Sequence, residues 1–459
     1  MGITRDIAGF GHELSYETLP PGIVDRVKYL ALDYLGLALR GAAADSSQAV
    51  HGFIAGIAPA SGKGTVIGAP IRAPYQYAAL ANGAAGHALE LDDVSNESSS
   101  HPAVVVFPAA LAAAEMSGGD GRRFVEAVVL GYEIMIRVGM ALDPAAHYAR
   151  GFHPTGTCGN FGAVMVAAKI FGLDLEQTVN ALGIAGSQAA GLMEFLNDGS
   201  WSKRLHPGWA AHNGIIAARL AASGFTGPAT VLEGEFGFLR AYSDKAAPEK
   251  LVAGLGETYK VMRASIKPYA CCRYKQGPID SIIKIMREHN LQAADVAGIR
   301  VGVLTPGFSI IVEPREIKYH PRTVYEAQFS MPFGAACAVL YGNASLNEYT
   351  EARINSPEVQ EMMSKVTCVT DPELDRAYPA QWPATAVITT HDGREFSTRV
   401  DYPKGDPENP LSWEELIAKF DDMAAPVASV ERRREIVARV RALEALPDIL
   451  SLTGLLVTD

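Results

Sequence analysis

Apolar residues recur at intervals of three and four from about Pro21 to Gly256, which is the spacing of one face of an α-helix. The stretch PPGIVDRVKYLALDYLGLALRG opens with prolines, which suit the first turn of a helix. Similar patterns follow in YQYAALANGAAGHALE, HPAVVVFPAALAAAEMSG, GRRFVEAVVLGYEIMIRVGMAL, FGAVMVAAKIFG and AAHNGIIAARLAASG. Because these stretches are rich in Ala and Gly, helices can approach closely and bury one another on several sides. This part of the chain therefore predicts a helical bundle.

The pattern changes near Lys267. Three β-like runs, VAGIRVGVLTP, KVTCVTD and ATAVITTHDGREFSTRVDY, accompany a helical stretch, GPIDSIIKIMREHN. The third run predicts a β-hairpin with its turn at Asp392-Gly393. The stretch TVYEAQFSMPFGAACAVLYG predicts one further helix. We therefore predict a separate, smaller α+β domain in the middle of the chain.

Helical patterns return after Pro403. Ser412 and Glu415 form a capping box in LSWEELIAKF, and SVERRREIVARVRALEAL is amphipathic. We expect these helices to pack on the N-terminal ones. The predicted fold is mostly α, with a large all-helical domain built from both chain ends (residues 1–264 and 403–459) and an α+β domain at residues 265–402.

Composition narrows the class of protein. The 459 residues are 48% hydrophobic and 20% charged, as in soluble globular proteins, and they suffice for two or three domains. The net charge of −11 argues against a nucleic-acid or membrane partner, although a pocket can still be locally cationic. Apolar runs fall short of the roughly 18 residues of a membrane helix, and the N-terminal stretch shows no signal-peptide pattern. Five cysteines without a CxxC motif favour a reducing, cytoplasmic location.

Four polar stretches contain candidate catalytic or binding residues. They are HALELDDVSNESSSHP, RGFHPTGTCGNFG, DGSWSKRLHPGWAAHNG and SIKPYACCRYKQ. Histidines and lysines lie beside glycines at predicted helix starts, where N–H groups and the helix dipole favour anions. A neutral histidine among cations can act as a base. The pattern predicts a carboxylate pocket with acid–base groups, in which the glycine-rich turn around His153 lets the backbone approach the ligand.

Simpler interpretations stay open for the same residues. The ELDD run also suits the solvated or capping end of a helix, and a core histidine is more often structural than catalytic. Asp and His together suit a metal, but HExxH and facial-triad spacings are absent, so we predict no metal site. GxGxxG after a strand, GxxxxGKS/T and GxSxG are also absent, so nucleotide binding and a hydrolase elbow lack support.

Several stretches, taken in order, resemble one known family. They are NGAAGHALELDDV, HPAVVVFPAALAAAE, RGFHPTGTCGNFGAVMVAAKIFGLD, SKRLHPGWAAHNGIIAARLAASGFTGP, IKPYACCRY, YEAQFSMPFGAACAVLYG and GDPENPLSWEELIAKF. The resemblance is to the MmgE/PrpD family, which includes 2-methylcitrate dehydratase, cis-aconitate decarboxylase and iminodisuccinate epimerase. It implies a helical domain from both chain ends, an α+β lid, a homodimer and a cofactor-free active site between the domains.

The resemblance also implies which residues form the site. The chain departs from the family's DFDDTW-type motif, because it reads ELDDVS, with Val94 for the Thr and Ser95 for the Trp. Gln276 replaces a His of CCRYTH-type members. Losing a hydrogen-bond donor changes which substrate is accepted, so we expect a substrate other than cis-aconitate. The implied catalytic residues are His101, His153, Lys203, Lys267 and Asp93, and the substrate-binding residues are Glu90, Thr155, His206, Arg273 and Cys272, the last at the position of a decarboxylase pocket His.

We predict a cofactor-independent lyase, of the dehydratase or decarboxylase type, acting on a di- or tricarboxylate and most like 2-methylcitrate dehydratase. A carbanion beside a carboxylate requires a positioned base and nearby cations. His153 or His101 is the candidate base and the other the acid, with Glu90 and Asp93 expected to orient a histidine. An epimerase or racemase of a dicarboxylate such as iminodisuccinate is the alternative. A non-catalytic carboxylate-binding scaffold is a third possibility.

Overall fold

The computed structural model describes residues 2–57 and 62–458. The chain divides into two compact units. Unit 1 consists of Met1–Ala264 and Ser412–Asp459, and unit 2 of Ser265–Leu411. Unit 1 is therefore built from both ends of the chain. Its second boundary follows Leu411, somewhat after the 402/403 boundary expected from the sequence.

Unit 1 is predominantly helical, as the apolar spacing predicts. In the described part of the chain, no helix combines the length and the apolar character that crossing a bilayer requires. The short strands β1 (Gly64–Thr65) and β2 (Arg72–Ala73) pair antiparallel, and β3 (Val94–Ser95) follows them. The N-terminal helices are α1 (Ile3–Glu13), α2 (Pro21–Gly41), α3 (Asp45–Ile57), α4 (Tyr75–His87), α5 (Ala103–Ser117), α6 (Gly121–Ala141), α7 (Pro144–Ala149), α8 (Pro154–Phe171), α9 (Leu175–Gly186), α10 (Ser202–Ala222) and α11 (Phe238–Tyr242).

Helices α4 and α10 approach each other closely because glycines face each other between them. A Cβ atom on Gly83 would lie 2.5 Å from the Cα of Gly208. A Cβ on Gly208 would lie 2.1 Å from the carbonyl oxygen of Leu80. Close-packed interiors cannot accept a methyl group at such distances, so glycine is required at both positions. The contact brings the end of α4 next to the start of α10.

Unit 2 contains a mixed sheet with the strand order β6-β5-β7-β8. Strand β5 pairs parallel with β6 and antiparallel with β7. The strands are β4 (Ala264–Ser265), at the boundary between the units, β5 (Val296–Val303), β6 (Val366–Thr370), β7 (Ala384–Thr390) and β8 (Glu395–Val400). The helices are α12 (Gln276–Glu288), α13 (Thr305–Ile311), α14 (Arg315–Lys318), α15 (Val324–Gln328), α16 (Met331–Tyr341), α17 (Glu351–Ile354), α18 (Pro357–Ser364) and α19 (Pro372–Asp375).

The predicted hairpin is confirmed, whereas one predicted helix is split. Strands β7 and β8 pair antiparallel across the Asp392-Gly393 turn. Residues 323–342, expected as one helix, form α15 and α16. The break arises because the Ser330 hydroxyl caps α16 by accepting the N–H of Phe333 at 3.1 Å. Pro332 lies in the first turn of α16, where its missing N–H costs nothing.

The C-terminal helices α20 (Trp413–Ala424), α21 (Val430–Arg441) and α22 (Leu450–Thr453) complete unit 1. The predicted capping box is confirmed: the Ser412 hydroxyl accepts the N–H of Glu415 at 3.2 Å, and the Glu415 carboxylate accepts the N–H of Ser412 at 2.7 Å. The Lys419 ammonium donates to the buried carboxylate of Asp33 on α2 at 2.6 Å. Helix α20 therefore packs on α2.

Candidate active site

Seven polar side chains gather inside unit 1 where the end of α4 meets the starts of α5, α8 and α10. The loop after α4 contributes carboxylates, while the three helix starts contribute imidazoles and an ammonium group. Most of these polar side chains are buried, and the helices around them are largely apolar. This imidazole cluster consists of His87, Glu90, Asp92, His101, His153, Lys203 and His206.

Lys203 forms an ion pair with Glu90. Both side chains are buried. Glu90 has a backbone φ of 56°, in the left-handed region that costs a non-glycine residue roughly 1 to 3 kcal/mol. Removing one partner of a buried ion pair leaves an uncompensated charge, so the two residues depend on each other. Glu90 therefore holds the Lys203 ammonium, and its expected role in orienting a histidine stays a prediction.

Asp93 anchors the start of α5. Its carboxylate accepts the N–H of Ala103 at 2.9 Å and the hydroxyl of Tyr132 at 2.7 Å, and the residue is fully buried. Burial raises the pKa of Asp93 to about 7, and these two hydrogen bonds oppose the rise. The Asp93 group that contacts His101 is its backbone carbonyl, 2.7 Å from the Nδ1 atom. The expectation that the Asp93 carboxylate orients a histidine therefore needs correction.

Asp92 supplies the carboxylate that contacts two histidines. Its Oδ2 atom lies 2.7 Å from Nδ1 of His87 and 3.1 Å from Nδ1 of His101. The Asp92 and His87 side chains have no exposed surface, whereas 14% of the His101 side chain is exposed. His101 is therefore the member of this group that a small molecule can reach.

His153 and His206 form a second imidazole pair. Their Nδ1 atoms lie 3.0 Å apart, so one nitrogen carries a proton and the other accepts it. Burial, followed by the charges of His206, His87, Lys203 and His101, lowers the pKa of His153 well below 6.5. Burial, with His87 and Lys203, lowers the pKa of His206 to about 4. Both rings are therefore uncharged near neutral pH.

The four rings form a continuous row. Their centroids are 5.1 Å apart for His101 and His87, 5.9 Å for His87 and His153, and 5.2 Å for His153 and His206. Neutral imidazoles both donate and accept hydrogen bonds. The row therefore offers hydrogen-bond donors and acceptors beside the Lys203–Glu90 ion pair.

The passage RGFHPTGTCGNFG is a helix start, so the expected glycine-rich turn is wrong beyond Gly151. His153 is the N-cap of α8, which begins at Pro154. A Cβ on Gly156 would lie 2.6 Å from the carbonyl oxygen of Ala190. The helical glycine therefore serves close packing between protein segments, not an approach of backbone to ligand.

Two buried threonines of α8 support neighbouring histidines. The Thr155 hydroxyl oxygen accepts the backbone N–H of His101 at 3.1 Å. The Thr157 hydroxyl lies 2.9 Å from Nε2 of His147, whose Nδ1 lies 2.9 Å from the carbonyl of Tyr242. Thr155 therefore positions the His101 backbone, and its expected contact with substrate stays a prediction.

Three of the predicted site residues belong to unit 2. The Arg273 guanidinium donates to both carboxylate oxygens of Asp406, at 2.6 and 2.7 Å, within a buried pair. The Cys272 N–H donates to the carbonyl of Gln328 at 3.1 Å. Lys267 is buried. That these residues join those of unit 1 in one site stays a prediction.

A metal ion would find one group of ligands in the described residues of the cluster. One ligand atom each from His87, Asp92 and His101 lie within 4.8 Å of one another. Two ligands at about 2.1 Å from a tetrahedral ion lie roughly 3.4 Å apart. The Nδ1–Oδ2 distances of 2.7 and 3.1 Å instead match hydrogen bonds. These nitrogen and oxygen atoms therefore lie at hydrogen-bonding distances.

Sequence reasoning missed His87 and Asp92 as members of the site. Both lie in the HALELDD run, whose other acids were chosen. The available signal was a histidine in the last helical turn followed five residues later by an acid, across a chain reversal at Glu90. Such a spacing is weak alone, since helix ends often carry histidines and acids for capping.

Two family models together match nearly the whole chain. The model of the MmgE/PrpD N-terminal domain matches residues 5–251, and that of the MmgE/PrpD C-terminal domain matches residues 269–444. The chain belongs to the MmgE/PrpD family. The family predicted from the sequence motifs is thereby confirmed, and every residue of the imidazole cluster lies in the N-terminal match.

Curated relatives of this MmgE/PrpD chain are similar over their full lengths. The cis-aconitate decarboxylase-like protein oryM of Aspergillus oryzae is 30% identical over 475 residues, covering 99% of this chain and 97% of the relative. The cis-aconitate decarboxylase of Aspergillus terreus is 30% identical over 477 residues, covering 99% and 96%. The cis-aconitate decarboxylase of Homo sapiens is 29% identical over 469 residues, covering 99% and 94%.

Proposed function

We propose that this MmgE/PrpD protein is a lyase that acts on a di- or tricarboxylate through a carbanion next to a carboxylate. The observation that carries the proposal is the buried row of imidazoles beside the Lys203–Glu90 pair. The end-to-end similarity to cis-aconitate decarboxylases supports the same class of reaction and substrate.

The chemistry follows from the charge that develops on the substrate. Losing a proton or CO₂ from a carbon beside a carboxylate places a second negative charge close to the first. A buried cation stabilises that charge more strongly than an exposed one, and Lys203 is buried. His101 and His153 are the groups we propose for proton transfer, and exclusion of water keeps the carbanion from unwanted protonation.

The ELDDVS motif bears on which carboxylate is the substrate. Val94 and Ser95, which replace the family's Thr and Trp, are both buried beside Asp93. A hydroxyl lost from a polar site leaves a substrate oxygen without its partner, which selects against the original substrate. The altered motif does not distinguish the lyases of the family from one another, so we propose dehydration of a 2-methylcitrate-like tricarboxylate as the first reaction to test and cis-aconitate decarboxylation as the second.

The proposal is tested by incubating the protein with candidate polycarboxylates in D₂O and following the products by NMR and mass spectrometry. Loss of water or CO₂ is the expected result, abolished in His101→Gln and retained in the matched control His51→Gln, a buried histidine of α3. Deuterium uptake with inversion and no lost fragment would establish the epimerase instead, which the curated relatives do not support. Binding without exchange would leave the scaffold interpretation.

We also propose that the protein is a homodimer whose second copy covers an apolar face of unit 1. Trp201 and Trp209 are 50% and 42% exposed, and together with Phe53 and Leu205 they line one groove. Exposed apolar patches of this kind mark interfaces. Light scattering should give a dimer mass, and Trp209→Glu should shift it toward the monomer. A monomeric wild-type protein would contradict the proposal.

A further inference from the structure

Asp92 lies between two imidazoles and faces both with the same oxygen atom. Its Oδ2 is 2.7 Å from Nδ1 of His87 and 3.1 Å from Nδ1 of His101. A carboxylate buried without any exposed surface requires hydrogen-bond donors. His87, which is equally buried, supplies one of them and fixes the direction of the carboxylate.

The surroundings of His101 determine which of its nitrogens carries the proton. Its Nδ1 lies 2.7 Å from the backbone carbonyl of Asp93, and a carbonyl oxygen can only accept. The second neighbour of Nδ1 is the Asp92 carboxylate, also an acceptor. The proton therefore lies on Nδ1, and the lone pair of the neutral ring lies on Nε2.

His153 has the opposite kind of surroundings. Its Nδ1 faces another imidazole, and its charged neighbours are cationic or become so, which disfavours protonation. A carboxylate beside His101 instead stabilises the imidazolium that forms when Nε2 accepts a proton. The two candidate histidines are thus distinguished by one carboxylate.

We propose that Asp92 is a positioning residue that makes His101 the general base of the reaction, with His87 holding the Asp92 carboxylate in place. The inference rests on the proposed function, because a general base is needed only if the reaction removes a proton from the substrate. His101 touches the substrate in this account, whereas Asp92 and His87 act through it.

The first test is the ring ¹⁵N spectrum of the histidine-labelled full-length protein, with the His101 signals assigned from their loss in His101→Gln. At high pH we expect the Nδ1–H form for His101. The Nε2–H form would overturn the proposal whatever the variants do. Addition of EDTA should leave the His101 signals unchanged. A shift of these signals on adding Zn²⁺ to the EDTA-treated protein would indicate that the side chains bind a metal, and it would overturn the proposal.

The second test is Asp92→Asn, which keeps the shape but removes the charge. The titratable groups that face His101 are His87, Asp92 and His153. We expect the pH midpoint of His101 protonation to fall by about one unit relative to the wild type, because the variant lacks the carboxylate charge. Turnover should fall at least about tenfold in kcat with KM nearly unchanged, and the acid limb of the pH profile should move with the NMR midpoint. Glu115→Gln is the control, because its buried carboxylate bonds Thr65 instead of a histidine.

An unchanged His101 midpoint in folded Asp92→Asn would overturn the proposal. If that variant does not fold, His87→Gln is used instead. His87→Gln keeps the Asp92 charge, so the pH midpoint of His101 should stay within about 0.5 units of the wild type. A fall of about one unit or more would assign the effect to His87 and not to Asp92. The NMR readouts need no substrate. A failure of the proposed lyase activity is therefore distinguishable from a failure of this inference.

Discussion

The Nδ1 atoms of His153 and His206 face each other at 3.0 Å and share one proton. When His206 donates that proton, Nδ1 of His153 is the acceptor. The single ring proton of neutral His153 then lies on Nε2, which can donate a hydrogen bond. A neutral imidazole donor suits a site where negative charge develops on the substrate. The pair therefore complements His101, whose Nδ1 faces acceptors.

The role of His153 predicts a loss of catalysis without a loss of structure. We expect His153→Ala to reduce kcat at least about 100-fold, which is the usual contribution of an acid–base group. Circular dichroism should show a folded protein, and steady-state kinetics with the active polycarboxylate gives the rate. Near-normal turnover would remove His153 from the mechanism.

Lys267 tests whether a residue of unit 2 takes part in the reaction. We expect this lysine in the active site from the family resemblance, and a cation that stabilises a developing dianion contributes two or more orders of magnitude. We expect Lys267→Ala to lose at least about 100-fold in turnover while unfolding at nearly the wild-type temperature. Lys245→Ala, at an exposed lysine of unit 1, is a surface control and should be active. Equal activity of the two variants would contradict the assignment.

The Glu90–Lys203 pair predicts non-additive effects on stability. Each single variant, Glu90→Gln or Lys203→Met, leaves a buried charge without its counter-ion and should cost about 3 to 5 kcal/mol in the free energy of unfolding. The double variant should recover most of that loss, but not the activity. Urea unfolding of all four proteins measures the coupling. Additive losses would mean that the two charges do not interact.

His206 predicts a stability that falls with decreasing pH. Its pKa is lowered from 6.5 to about 4 in the folded protein, so the unfolded chain takes up this proton first as the pH falls. Stability is therefore lost between about pH 6.5 and about pH 4. When the pH is lowered from about 7 to about 4.5, the free energy of unfolding should fall by about 1 to 3 kcal/mol less in His206→Gln than in the wild type. Urea unfolding at each pH measures this difference. Parallel curves for the two proteins would rule out the shift.

Asp93 predicts a pH dependence of the opposite sign. Burial raises its pKa from 3.8 to about 7, so the folded protein keeps this proton longer than the unfolded chain as the pH rises. Stability from this group falls as the pH rises through that window. Asp93→Asn does not titrate, so it should gain stability relative to the wild type from about pH 4 to about pH 7 in thermal unfolding. Its turnover should stay within about tenfold of the wild type, and a 100-fold loss would restore Asp93 as a catalytic residue.

The sequence was informative where a local rule decides the structure. The apolar spacing after Pro21 predicted α2, the Asp392-Gly393 turn predicted the β7–β8 hairpin, and Ser412 with Glu415 predicted the start of α20. Each rule involves residues within a few positions of one another. Such features survive folding because tertiary contacts reinforce them.

The site was predicted in its residue types but not in its pairings. His101, His153 and Lys203 do lie together. Asp92 and Asp93, however, are neighbours with identical side chains, and only their directions differ: one carboxylate meets histidines, and the other meets Ala103 and Tyr132. That direction depends on the packing of α5 and α6, which lies outside any short sequence window. The sequence therefore could not choose between the two acids.

The contact between Gly83 and Gly208 fixes the distance between α4 and α10. A single added methyl group at either position would wedge α4 and α10 apart, and these helices carry His87 and Lys203. A displacement of about 1 Å in a reacting group can cost 100-fold in rate. The two glycines therefore determine the spacing between the polar groups that α4 and α10 carry.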